Sequence, residues 1–343
     1  MEILEISRYT GILNVILSAS LISFFITIII KFFSNRFHIF IDKIDEKKPQ
    51  KMHIISTPRA GGVGIFFGFS LVLLSPEKQY LYFFIALTII FLSGLLEDFF
   101  GSLGPKTRLS LQLIGCSVAI FGLDAIITNL SPVIILPYWI GIVFSLFGII
   151  GVCNAINIID GFNGLSSGIC LMVFTTIGFA AFSVDSNFVL FVSIIAIGST
   201  LGFFVLNFPK GKIFLGDGGA YMLGFIIAIL LAILTQSDSN ISAWFGLAVM
   251  IYPVWEVLFS IIRRIKNKQP AMHPDKKHLH TLIYHKIHNN PLTAVFIWLL
   301  NLPFMILSII FMHKAWVLIC ICIGFIIIYN MIYLYLKSQI KAI

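Results

Sequence analysis

Five acidic residues stand beside Gly or Asn in short segments between long apolar runs. Glu97 and Asp98 close Gly94-Leu95-Leu96-Glu97-Asp98, Asp160 precedes Gly161, Asp217 is flanked by Gly216 and Gly218, and Asp275 lies in Pro274-Asp275-Lys276-Lys277. Their setting is unusual, because 59% of the chain is hydrophobic and only 11% is charged. A carboxylate near lipid is costly and is rarely kept without work to do. Several of them converging at one membrane face suit a divalent cation and a phosphorylated substrate.

Each group also has a plainer explanation. Lys51, His53 and Arg59 precede Gly61, Gly62 and Gly64; they read either as orientation charge before packing glycines or as an anion clamp, since Arg grips phosphate oxygens in a fork. Glu97 and Asp98 end a helical run, where the negative end of the macrodipole disfavours them; they read either as a surface accident or, because neighbouring acids repel, as a site for cation or proton handling, with Lys106 and Arg108 shortly after as general positive charge. Asn154, Asn157 and Asp160 recur every three residues along one drifting helix face. Inter-helix hydrogen bonds account for the asparagines, but less well for the Asp. Gly161 and Gly164, around Phe162 and Asn163, allow a sharp turn whose amides face a bound group. Asp217 reads as a helix N-cap or as a metal ligand. Glu256 lies seven residues before Arg263, about 10 Å along the axis and on nearly the same face. It is either a functional acid or a neutral one bonding a neighbouring helix, and Pro253 is expected to interrupt its helix. His273, His278, His280, His285 and His288 lack a familiar zinc-ligand set; with the lysines they better suit a diphosphate or sugar hydroxyls.

These groups need elements to position them. Apolar runs of about 20 residues, the length that crosses a bilayer, recur along the chain. Eleven spans are expected, at roughly 12–33, 61–76, 80–96, 108–128, 132–151, 164–183, 187–206, 219–235, 242–263, 292–311 and 315–336. The chain then reads as one all-α polytopic domain over 1–343. Loops alternate in this scheme, so 20 of the 23 basic residues fall on one side, leaving Arg8, Lys78 and Lys314 on the other. The positive-inside rule puts the N-terminus outside, with the C-terminus and every acidic motif in the cytosol. The run after Glu2 and Glu5 is too long for a cleavable signal. Cys116, Cys153, Cys170, Cys320 and Cys322 fall in or at the ends of spans and read as small packing residues. The net charge of +8 is mostly orientation signal, and no nucleic-acid partner is expected.

Taken in order, TPRAGG, LEDFFG, NAINIIDGFNGL, FLGDGG and PDKKHLH resemble the polyprenyl-phosphate N-acetylhexosamine-1-phosphate transferases, glycosyltransferase family 4. The resemblance covers about 51–285 and favours the undecaprenyl-phosphate N-acetylglucosamine-1-phosphate branch over the pentapeptide branch. It implies a Mg²⁺-dependent enzyme, with Mn²⁺ as a substitute, in a bacterial cytoplasmic membrane. Such an enzyme moves a sugar-1-phosphate from a UDP-N-acetylhexosamine to a polyprenyl phosphate and releases UMP, the first membrane step of a surface glycan such as O-antigen lipopolysaccharide. A homodimer is compatible with it. The resemblance also implies Asp217 as first metal ligand with Asp160 beside it, and Glu97, Asp98 and Asp160 as catalytic carboxylates, Glu97 deprotonating or positioning the lipid phosphate. Gly161, Phe162, Asn163, Asn207 and Phe214 would hold the uridine, and Arg59, His278 and His280 the diphosphate or sugar, with Lys51, His53 and Asn157 as further substrate-binding candidates. Three departures stand out: Glu97 replaces the first of a usual Asp pair, Asn163 a usual Asp, and Thr281 a third histidine. The competing class is a transporter of anionic solutes, which would want charges distributed along a path open to both faces.

Overall fold

The computed structural model of the protein describes residues 2–40, 57–101, 103–237, 239–270 and 277–339, with side chains from residue 10. Lys51, His53, His273 and Asp275 therefore lie outside the described residues. The chain runs α1 (Glu2–Phe37), α2 (Gly61–Gly68) continued by a 3₁₀ turn (Phe69–Leu74), α3 (Lys78–Phe100) and α4 (Pro105–Leu123). A two-residue hairpin, β1 (Asn129–Leu130) with β2 (Ile134–Ile135), precedes α5 (Tyr138–Ile159), α6 (Leu165–Ser183), α7 (Asn187–Asn207) and α8 (Gly216–Gln236). The remainder is α9 (Ala243–Val249), α10 (Ile251–Lys266), α11 (Leu279–Ile287), α12 (Asn290–Ile310) and α13 (Ala315–Gln339).

The protein is an all-α polytopic membrane protein. Among the described residues, eight helices have the length and apolarity to cross a bilayer: α1, α3, α5, α6, α7, α8, α12 and α13. The bent pair α9–α10 makes a ninth if counted as one span. The second expected span is shorter, an apolar stretch over 61–74. The fourth is α4, which opens on Pro105 and carries Lys106 and Arg108 in its first turn. Apolar side chains such as Phe25, Phe121, Trp139, Phe147 and Ile310 are exposed on the outer faces, the surface a lipid-facing bundle presents.

The break expected at Pro253 falls three residues earlier. α9 and α10 meet at 77° around Met250. A proline ring crowds the carbonyl four residues before it, and that residue, Val249, is the last of α9. Pro253 itself sits in the first turn of α10, where its missing N–H costs nothing.

Helix α8 is the centre. In its most apolar window 89% is buried, against 17% in α1 and 33% in α12 and α13. It packs against α3 and α5, with α2 over its start. A helix apolar all round belongs in such a place. Its N-terminal glycines let backbones touch: a Cβ on Gly94 would stand 2.3 Å from the Gly218 nitrogen, and one on Gly62 2.5 Å from the Gly219 Cα. We expect Gly94→Ala to separate α3 from α8 and to cost about 3 kcal/mol, since overpacking here meets backbone rather than a movable side chain. A fall in the unfolding temperature in detergent, absent for Gly148→Ala where no atom lies within 4 Å, would verify it.

Candidate active site

Asp98, in the last turn of α3, is bonded to the start of α8. Its two oxygens accept from the Asp217 and Gly218 backbone N–H groups, each at 3.0 Å. The end of α3 is a poor place for an acid, yet the same carboxylate meets the positive end of α8, where free amides favour an anion. Gly216 makes the approach feasible: its φ is +78°, and a Cβ there would stand 2.6 Å from an Asp98 oxygen.

Seated this way, Asp217 projects its side chain between α4 and α5. Oδ1 accepts from Asn157 Nδ2 at 3.0 Å, and Oδ2 from an Arg108 guanidinium nitrogen at 3.2 Å, which also donates to the Tyr221 hydroxyl at 3.2 Å. Asn157 thus reaches the acid expected to bind metal. Asn154, one turn earlier, bonds the Ile150 carbonyl and reaches Gln112 of α4. The asparagine stripe divides between packing and site.

Asp160 caps the end of α5 and accepts a short hydrogen bond from Ser166. Burial lifts its pKa to about 6, Asp217 adds to the rise, and the Ser166 hydroxyl and Arg59 charge oppose it. Arg59 is held nearby by backbone pairing. Phe214 N–H donates to the Pro58 carbonyl, and Gly61 and Gly62 donate to the Phe214 and Leu215 carbonyls, at 2.8–2.9 Å.

The Asp160–Gly164 turn is stitched down by amides. Asn163 N–H donates to Asn290 Oδ1 at 2.8 Å and its Nδ2 to the Pro209 carbonyl at 3.0 Å. Gly164 N–H donates to Asn207 Oδ1 at 2.7 Å, while Asn207 Nδ2 donates to the Ile213 carbonyl at 2.8 Å. Both amide atoms of Asn207 therefore serve the scaffold, whereas the buried Asn163 Oδ1 has no hydrogen-bond partner. Phe162 is buried, with its ring 5.5 Å from that of His280 and 5.2 Å from that of Tyr284.

His280 approaches the same turn from the start of α11, with His278 beside it. Their rings stack at 5.2 Å, and a Cβ on Gly161 would stand 3.8 Å from His280 Nε2. His280 Nδ1 meets the Tyr252 hydroxyl at 3.0 Å. Burial pulls the His280 pKa down to about 3, so the ring is neutral. His278 Nδ1 pairs with Glu256 at 3.0 Å. Sequence reasoning missed Asn290 and Tyr252 as partners and left Arg108 as general positive charge; only Arg108 carried a signal, in its nearness to the acid pair.

Among the described residues, no group of three or more His, Cys, Asp or Glu is arranged to hold a metal ion. The donors still suit Mg²⁺, which takes hard oxygens and is commonly held by one or two carboxylates together with substrate phosphates. Glu97 Oε2 is buried without a hydrogen-bond partner, an oxygen that a hard cation or its hydration shell would satisfy.

Residues 80–235 match the model of glycosyl transferase family 4. A Bacillus subtilis strain 168 protein named probable undecaprenyl-phosphate N-acetylglucosaminyl 1-phosphate transferase is 31% identical over 322 residues, 91% of this chain and 89% of its own. The chain belongs to glycosyl transferase family 4. A Thermotoga maritima undecaprenyl-phosphate alpha-N-acetylglucosaminyl 1-phosphate transferase is 30% identical over 78% of this chain and 80% of its own. A Mycobacterium leprae decaprenyl-phosphate N-acetylglucosaminephosphotransferase is 27% identical over 87% and 83%. The family and the branch expected from the motifs are those found, and membership makes this a membrane phospho-sugar transferase.

The trans-helix cap makes Asp98 separable from Asp217. Asn at 98 has one acceptor oxygen for two amide donors. We expect Asp98→Asn to cost about 1–2 kcal/mol of stability and so to lower the unfolding temperature. Asp217→Asn, whose backbone rather than side chain completes that joint, should lower it less.

Proposed function

We propose that this protein transfers N-acetylglucosamine-1-phosphate, or a closely related N-acetylhexosamine-1-phosphate, from its UDP-sugar to a polyprenyl phosphate at the cytosolic face of a bacterial cytoplasmic membrane. The observation that carries this is convergence: motifs spread from Pro58 to His280 meet at one end of the bundle, with Asp98, Asp160 and Asp217 beside Arg59 and Arg108. The relatives' names supply the sugar and the lipid. The positive-inside count supports the face and an N-terminus outside, with eleven crossings. The product would begin a surface glycan such as O-antigen lipopolysaccharide.

Balance of the reaction fixes the needs of the site. A lipid phosphate oxygen attacks the β-phosphorus, the bond to the α-phosphate's bridging oxygen breaks, and UMP leaves. Both reactants are anionic, so charge must be neutralised and the groups held in line. Mg²⁺ (or Mn²⁺), held by Asp217 and Asp160, would screen the phosphates and polarise the β-phosphoryl group. Asp98 keeps Asp217 in place through α8. Asn157 and Arg108 aim its carboxylate. Glu97 takes or directs the lipid phosphate's proton. Arg59 grips the diphosphate with His278 and His280, alongside Lys51 and His53. Gly161, Phe162, Asn163 and Phe214 border the uridine, with Asn207 supporting the turn from below.

The decisive assay is UMP release by purified protein given undecaprenyl phosphate, Mg²⁺ and a panel of UDP-sugars. We expect turnover with UDP-N-acetylglucosamine, its loss on chelation, and a fall of about a hundredfold or more in Asp217→Asn, the scale of several kcal/mol of charge stabilisation. No UMP from any sugar would refute the function. In the same assay Glu97→Asp should keep part of the activity, because the charge remains and moves by about 1 Å; a loss as deep as that of Glu97→Gln would show that reach, not charge alone, matters there.

A further inference from the structure

Glu256 is fully buried in α10 and has no part in the transfer as described so far. Its Oε1 accepts from His278 Nδ1 at 3.0 Å and its Oε2 from the Tyr329 hydroxyl of α13 at 2.9 Å. The Leu279 backbone N–H lies 3.3 Å and 3.4 Å from the two oxygens. Donors surround this carboxylate, so it acts as an acceptor alone. Leu279 opens α11, which places the carboxylate at that helix's positive end.

Its partner set fixes the imidazole. Glu256 can only accept, so Nδ1 of His278 carries the proton between them. Ser260 Oγ, 3.2 Å from the same nitrogen, also accepts from Arg263 at 3.3 Å. The two ring nitrogens diverge, so Nε2 is turned away from α10. His280 is fixed in parallel by Tyr252, and its Nε2 edge lies against Gly161. A carboxylate behind an imidazole sets its tautomer and direction.

We infer that Glu256 is a positioning residue for the proposed transfer: it holds His278 in the Nδ1–H form, stacked on His280, and, through the start of α11, sets the two histidines that grip the diphosphate of the sugar nucleotide, with His280 against the Asp160–Gly164 turn. This rests on the function proposed above. Glu256 touches no substrate and acts through His278. Gln cannot supply the charge, and its NH₂ must face either Nδ1 or Tyr329, both donors to the native oxygens.

The test is a double-mutant cycle of Glu256→Gln and His278→Gln, read by UMP release from UDP-N-acetylglucosamine with undecaprenyl phosphate. Unfolding temperatures and ¹⁵N spectra of histidine-labelled protein accompany it, with His278 assigned by its loss in His278→Gln. We expect Glu256→Gln to lower kcat/KM for the sugar nucleotide about tenfold or more, mainly through KM, with a fall in unfolding temperature no larger than that of Asp98→Asn. The double variant should be no worse than His278→Gln alone, and the His278 Nδ1 resonance should move in Glu256→Gln. Activity within threefold of wild type, or a double variant as poor as the product of both singles, would overturn the assignment. If Glu256→Gln does not fold, Glu256→Asp, which keeps the charge but draws the carboxylate back from His278 Nδ1 by about 1 Å, takes its place in the cycle, with the same results supporting or overturning the role of Glu256. A wild type that releases no UMP from any sugar would sink the function instead. The ¹⁵N arm still judges Glu256, because unchanged His278 nitrogens in the variant reject it.

Discussion

Asp98 reaching from the last turn of α3 to the first amides of α8 is the joint on which the site depends. An acid at a helix C-terminus is opposed by that helix's own dipole, so this one is tolerable only where a second helix begins. The requirement is strict in space. Gly94 and Gly218 must bring the two backbones into contact, and Gly216 must turn with positive φ for the Asp98 oxygens to fit. Once these conditions hold, Asp217 has no choice of direction, and Asn157 and Arg108 meet it from α5 and α4.

A second joint of the same kind stands across the site. Glu256 meets the start of α11 as Asp98 meets the start of α8. Buried carboxylates are expensive when alone, but strong in a low dielectric when all their lone pairs are used. Between the two joints lies the Asp160–Gly164 turn, held by Asn163, Asn207 and Asn290. The rigid parts are thus helix ends, and the segment between them is pinned by amides rather than by packing. That arrangement keeps polar groups at one end of a bundle whose outer faces are apolar.

How much of this could be read from residues alone varies with the range of the interaction. Apolar runs announce α1, α3, α5 to α8, α12 and α13 because crossing a bilayer imposes length and composition locally. The break at Met250 was legible from Pro253, although its position depends on the carbonyl of Val249. The acids, glycines and histidines of the site were legible as types. Their partners were not: nothing local says that Asn157 reaches Asp217 while Asn154 turns to Gln112, or that both amide atoms of Asn207 are spent on backbone. Glu256 admitted two explanations from sequence, and neither says that His278 and Tyr329 meet it. Chain-distant pairing of this kind follows from topology, which no periodicity reports.

The bonding of the acids also narrows where a cation would act. Asp98 spends both oxygens on amides, Asp160 has Ser166, and Asp217 has Asn157 and Arg108. Carboxylate oxygens have a second lone pair each, so Asp217 and Asp160 keep coordinating capacity while staying aimed. Glu97 differs, with one buried oxygen that no donor meets. Like Asn163, it stands where the family resemblance leads to Asp. The longer side chain reaches past the joint that fixes its neighbour, so the two members of the pair differ in bonding: Asp98 is spent on the joint, and Glu97 keeps an oxygen out of it.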